Sequence, residues 1–180
     1  MVLLGRTLST LQSTAASLKS SFPSIKVLTL VADIVDKSAV DAAFAETKAK
    51  LGPIDILVSN AAYFPDAALI GEADIHEWWK SVDINLKGNL ILVQAFLKNM
   101  AEMPTILNVT TAGAHIPAIP SLSGYAVSKL AGLKFFEYVA AEYPQVTVMN
   151  VHPGVMDTAM GAKASKSGVK MPLDDSKLPI

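Results

Sequence analysis

In the stretch GYAVSKLAG, Tyr125 and Lys129 stand four positions apart. Wherever that stretch is helical, the two side chains lie one above the other. A phenol titrates near pH 10 and is a weak base at neutral pH. An ammonium about 4 Å away favours the phenolate by roughly 4 kcal/mol at an effective dielectric of 20. That equals about three pKa units, enough to make tyrosine a general acid/base for a substrate oxygen. The same spacing occurs on any amphipathic helix, so the neighbours carry the decision. Upstream of Tyr125, TILNVTT ends at Thr110 and Thr111. Those hydroxyls fall at the carboxyl end of a strand, where ligands of open α/β sheets bind. Further upstream, VDINLKGN sets Asn85 in a long helix, where its amide can hold a lysine or a water.

The elements that must position these groups follow from the apolar pattern. Val2–Leu4, Val27–Val31, Ile54–Ser59, Thr105–Thr111 and Val146–His152 are near-continuous apolar runs, as expected for strands buried on both faces. Helical stretches are predicted at roughly 7–20, 36–50, 74–100 and 121–142. The second begins after Asp36 or Ser38 and stops at Gly52-Pro53; the fourth stops at Pro144. Strict βα alternation predicts an α/β fold: a Rossmann-like, doubly wound parallel sheet in three α/β/α layers with right-handed crossovers. After Pro153 the chain reads as polar and loop-like, with no closing strand.

Composition narrows the function. The 180 residues suit one domain with a sizeable core, and 51% apolar with 17% charged content describes a packed protein rather than a disordered one. A net charge of −1 without a basic face argues against nucleic acid as a partner. No cysteine is present, and His76, His115 and His152 lie at no ligand spacing, so no metal is expected. No Gly-x-Ser-x-Gly elbow supports a nucleophilic hydrolase. No apolar run approaches the ~18 residues of a membrane span. Residues 1–32 carry Arg6, Lys19 and Lys26 and no acidic residue before Asp33, the profile of a mitochondrial leader. The better reading is a strand and an amphipathic helix, because VLLG with Leu8, Leu11 and Leu18 continues the pattern of the rest. A cytoplasmic location is therefore expected.

Five segments in order make the chain resemble the short-chain dehydrogenase/reductase family over nearly all of residues 1–160. SNAA at 59–62 looks like that family's Asn-Asn-Ala-Gly strand end, and INLKGN is similar to its Asn-x-x-Gly helix motif. NVTT stands where the family has a strand ending in Ser-Ser, YAVSK matches Tyr-x-x-x-Lys, and HPGVMDT matches Pro-Gly-x-x-x-Thr. The resemblance implies a nicotinamide-dependent oxidoreductase interconverting a carbonyl and an alcohol. It makes Tyr125 the proton donor or acceptor, and gives Lys129 both the tyrosine and the nicotinamide ribose. Thr111 takes the serine position, and Asn85 positions a proton-relay water. Asp33, with Ile34 beside it, meets the adenine edge. Asn60, Ala61 and Ala62 pass along the adenosine, while Pro153, Gly154, Met156 and Thr158 flank the nicotinamide. In LLGRT, Arg6 stands where an NAD-selective site carries an acid, and a cation there favours the 2′-phosphate of NADP(H) over NAD.

The sequence also departs from the family. Thr111 adds a methyl and a stiff χ1 to the hydroxyl, and Ala62 replaces a glycine. Gly5 is the only glycine before Gly52, so the strand, glycine-rich turn and helix that open a family member have no counterpart here. The closing helix and strand are missing too. Residues 1–180 are therefore expected to form one partial nucleotide-binding domain, incomplete at both ends, with 155–180 as a substrate-covering tail. Tyr63, Phe64, His115, Ile116, Met156 and Met160 are candidate pocket residues for a small or medium apolar substrate. A competing reading is a truncated, inactive remnant acting as a subunit-association module. Its helices at 74–100 and 121–142 carry apolar faces, Trp78, Trp79, Val82, Leu90 and Val93 on one and Leu130, Phe135, Phe136 and Val139 on the other, suited to a homo-oligomer.

Overall fold

The computed structural model describes residues 1–166 and 173–174. Strands and helices alternate as β1 (Val2–Gly5), α1 (Leu8–Ser21), β2 (Leu28–Val31), α2 (Lys37–Leu51), β3 (Ile54–Ser59), α3 (Ile75–Val82), α4 (Gly88–Asn99), β4 (Met100–Val109), α5 (Ser123–Glu142), β5 (Thr147–Val151) and α6 (Ala159–Lys166). All strand pairs are parallel, so each connection is a helical crossover. The fold is Rossmann-like α/β. Among the described residues the strands form two sheets, β1-β2 and β3-β4-β5, and β1 is not hydrogen-bonded to β3.

Local chemistry sets the boundaries. Asp36 caps α2 by accepting a bond from the Ala39 N–H, and α2 stops at Gly52, whose φ of +93° favours glycine, before Pro53. Asp74 caps α3 by accepting from the Glu77 N–H. The long helix expected over 74–100 is instead broken: residues Asp83–Lys87 form a π-turn between α3 and α4. Periodicity cannot separate a single π-turn from α-helix, and such turns cluster at functional sites. Gly88 follows it because a Cβ there would lie 2.6 Å from Ile34 Cδ1. Strand β4 starts at Met100 rather than Thr105, with a register irregularity between Ile54 and Ile56. The stretch read as loop-like after Pro153 holds α6, which forms because Ala164 finds a buried seat against Phe64 and Leu122. Residues 167–172 and 175–180 of the expected tail lie outside the described residues.

The main core lies on one face of the sheets. Leu57 and Ile106 are neighbours across β3 and β4, and they pack with Val40 and Phe44 of α2, Phe96 of α4, and Phe136 and Val139 of α5. Phe96, Ile106 and Phe136 are fully buried. The opposite face differs from the expectation of strands buried on both sides: Ile56 and Val58 are 58% and 55% exposed. The helices α2, α4 and α5 all serve the Leu57 face, which leaves the alternate side chains of β3 uncovered.

Phe136→Ala is expected to lower the unfolding free energy by about 3–5 kcal/mol, measured by urea denaturation. Tyr138→Ala, on the exposed side of the same helix, is expected to change it by no more than about 0.5 kcal/mol.

Candidate active site

Helix α5 brings Tyr125 and Lys129 to the carboxyl end of β4. Lys129 is 8% exposed, and its ammonium donates to the carbonyl of Val109, the last residue of that strand, at 2.7 Å. The Tyr125 ring rests against Phe64, centroids 5.0 Å apart and tilted by 50°. Just past β4, Thr111 Oγ1 accepts the Gly113 N–H at 3.2 Å and so caps the short 3-10 turn Ala112–Ala114. Thr110 Oγ1 is buried with no hydrogen-bond partner among the described residues.

Burial, not the ammonium, sets the electrostatics. It pushes the Tyr125 phenol above its ordinary value and brings Lys129 down to about 8. The sequence expectation was a depressed phenol. The reversal has a geometric cause: the lysine is turned to the Val109 carbonyl, and desolvation disfavours charge on both groups.

Asn85 lies at the centre of the π-turn and is 1% exposed. Its Oδ1 accepts the Tyr63 N–H at 2.7 Å, while Nδ2 donates to the Tyr63 carbonyl and to Ser128 Oγ, both at 2.9 Å. Ser128 Oγ in turn donates to the Tyr125 carbonyl at 2.8 Å. Below it, Asn89 Nδ2 donates to the Asn85 carbonyl at 2.7 Å and Asn89 Oδ1 accepts from Ser59 Oγ at 2.5 Å. Asn85 thus ties the turn after β3 to α5. Sequence reasoning found Asn85 but missed Ser128, Asn89 and Ser59. The available signals were a serine inside the Tyr-Lys motif and an asparagine four places after Asn85.

The remaining predicted residues gather at the same carboxyl ends. Arg6 follows β1, Asp33 follows β2, and their charged groups approach to 3.9 Å. Asp33 Oδ1 accepts the Val35 N–H at 3.2 Å, while Ile34 is buried beneath Gly88. Asn60 and Ala61 are exposed and Ala62 half-buried directly after β3. After β5, Pro153 is exposed and Gly154 has φ +85°. Met156 is half-buried, and Thr158 Oγ1 accepts the Gly161 N–H at 3.1 Å. The neighbouring Val155 N–H donates to Asp174 Oδ2 at 2.7 Å, a contact the sequence did not suggest. Of the candidate pocket residues, Phe64 and Met160 join Leu122, Ala164 and Tyr125 in one apolar cluster, whereas His115 and Ile116 are exposed.

The donor set suits a polyhydroxylated group beside Tyr125. Lys129 has donors beyond the one given to Val109, and the orphaned Thr110 hydroxyl lies at the same strand end. Gly5 ends β1, and the connection to α1, Arg6-Thr7, offers no glycine-rich cradle for a pyrophosphate. Among the described residues no cluster of acids and histidines could hold a metal, and no helix is long and apolar enough to cross a membrane.

Comparison with known proteins bears on this arrangement. The family description "short chain dehydrogenase" matches residues 1–168. The short chain dehydrogenase mpl6 of Monascus purpureus is 32% identical over 151 residues, covering 82% of this chain and 51% of that protein. The solved structure of levodione reductase superposes with a TM-score of 0.86 at 28% identity, covering 92% of this chain and 66% of that one. An alcohol dehydrogenase from Thermococcus sibiricus, complexed with 5-hydroxy-NADP, shares the fold at a TM-score of 0.82 and 23% identity, over 90% of this chain and 68% of its own. The chain spans about half the length of the first curated relatives it matches.

The burial of Lys129 has a pH signature. Its folded pKa of about 8 lies below the ordinary 10.5, so between those values the unfolded chain holds the extra proton and stability rises with pH. In urea denaturation the unfolding free energy of wild type relative to Lys129→Met should rise by about 2 kcal/mol between pH 8 and pH 10. A constant difference between the two proteins would contradict it.

Proposed function

The chain belongs to the short-chain dehydrogenase family, and we propose that it is an NADP(H)-dependent oxidoreductase that interconverts a carbonyl and an alcohol on a small or medium apolar substrate. The observation that carries this reading is the burial of Tyr125 and Lys129 on one helix at the carboxyl end of β4, beside Phe64. Residues 1–180 serve as one nucleotide-binding domain, with 155–180 covering the substrate, in a cytoplasmic protein.

Each residue has a definite task in this account. Tyr125 passes its phenolic proton to a carbonyl oxygen, or takes one from an alcohol. Thr111 hydrogen-bonds the same oxygen. Lys129 holds the nicotinamide ribose and, as an ammonium, stabilises the phenolate. The bound cofactor supplies or accepts the hydride. Asn85 spends both amide protons on Tyr63 and Ser128, so a relay water would sit on the second lone pair of Oδ1. Pro153, Gly154, Met156 and Thr158 flank the nicotinamide, and Asn60, Ala61 and Ala62 pass along the adenosine with Asp33 and Ile34 at its adenine. Arg6 is 69% exposed and carries the cation that supports NADP(H) over NAD.

A second reading concerns assembly. Val93, Phe136 and Val139 of the predicted association faces are buried in the chain's own core. Leu90 of α4 and Val127, Leu130 and Tyr138 of α5 remain 42–58% exposed. Those side chains favour self-association through these two helices. Such pairing accompanies the oxidoreductase reading, and it is all that would remain of function in an inactive remnant.

Two measurements test these readings. Steady-state assays with NADPH and a panel of apolar ketones should show turnover that falls at least about 10²-fold in Tyr125→Phe; equal turnover in both proteins would refute the role of Tyr125. Sedimentation should show an oligomer that Leu130→Glu dissociates, and a monomeric wild type would refute the assembly.

A further inference from the structure

Helix α6 is held to the turn after β3 by one of its lysines. The Lys163 ammonium donates to the Phe64 carbonyl at 2.8 Å and meets Asp66 Oδ1 at 2.8 Å, while lying 5.0 Å from the centre of the Tyr63 ring. One lysine thus grips three of four consecutive residues in the turn that follows β3. Asn85 anchors the same turn from the core side through both backbone groups of Tyr63. Behind the grip, Ala164, Phe64 and Leu122 are buried, with Tyr125 and Met160 packed against them.

An eight-residue helix is too short to persist alone, so α6 depends on tertiary contacts. It buries only Ala164. The half-buried bond from Lys163 to a backbone carbonyl is therefore a large part of what docks it. The ion pair adds less, because Asp66 is 76% exposed and screened by water.

We propose that Lys163 is a positioning residue: it clasps α6 to the turn after β3, keeps the phenol of Tyr125 covered, and holds Met160 and Ala164 as the apolar wall of the substrate pocket. The role of the wall rests on the oxidoreductase reading; the clasp itself does not. The apolar part of a substrate gains its contacts from this wall, so loosening the clasp acts on KM rather than on kcat.

The first test needs no turnover. Tetranitromethane nitration followed by peptide mapping gives the rate at Tyr125 relative to Tyr138, which is 58% exposed on the same helix. Lys163→Met should raise that ratio about five-fold, the factor carried by about 1 kcal/mol. Lys163→Arg should return it most of the way to wild type, and Asp66→Ala should raise it less than Lys163→Met does. An unchanged ratio in Lys163→Met overturns the clasp. If Lys163→Met fails to fold, Lys163→Gln, too short to reach the Phe64 carbonyl in the same way, decides in its place, and an unchanged ratio there overturns the clasp. The second test uses turnover of apolar ketones: KM should rise about five-fold in Lys163→Met with kcat nearly unchanged. A fall in kcat at constant KM overturns the role of the wall. A wild-type chain that reduces nothing refutes the oxidoreductase reading and with it the wall, while the nitration ratio still reports on the clasp.

Discussion

The site depends on one buried amide. Asn85 makes three hydrogen bonds inside a π-turn, and those bonds join the turn after β3 to the helix that carries Tyr125 and Lys129. A buried polar group left without a partner costs about 1–3 kcal/mol, so the network is satisfied as a whole or not at all. Ser128 passes the constraint to the backbone of Tyr125, and Asn89 with Ser59 passes it to the end of β3. Phe64 follows Tyr63 directly, so fixing the Tyr63 backbone also fixes the ring that packs on Tyr125. The active helix is thereby positioned by polar bonds above and by Phe136 and Val139 in the core below.

The same burial decides the charge state of the site. Water is withdrawn from both Tyr125 and Lys129, and desolvation moves each toward its neutral form. A phenol raised in this way holds its proton well. At a pKa of about 8, Lys129 is still mostly an ammonium at neutral pH, and a ligand that offers it acceptors would hold that charge beside Tyr125 and favour the phenolate. The orphaned hydroxyl of Thr110 beside the last residue of β4 fits the same pattern of a strand end built for polar company.

Much of this was legible in the residues. Alternating apolar runs gave the strands and crossovers, the Asp36 cap and Gly52-Pro53 gave α2 its ends, and the order of the motifs gave the family. Three features were not legible, each for a physical reason. The π-turn at Asp83–Lys87 has the same apolar pattern as α-helix. Helix α6 is eight residues of alanine, glycine, serine, lysine and one methionine, and its docking rests on one small buried residue and a lysine whose partners lie 97 and 99 positions away in the chain. The uncovered face of β3 looked buried, since Ile56 and Val58 are the residue types of a fully enclosed strand. Arg6 was singled out at the end of its strand and Asp33 through the family resemblance, and the structure brings the two charges within 3.9 Å.

The central claim is that burial of Tyr125 and Lys129 at the end of β4 builds a half-site for a nicotinamide cofactor. The most direct measurement is a calorimetric titration of the 180-residue chain with NADPH and, separately, with NADH. The account expects saturable NADPH binding, tighter than NADH binding and lost in Lys129→Met. A folded chain that takes up neither cofactor would contradict it.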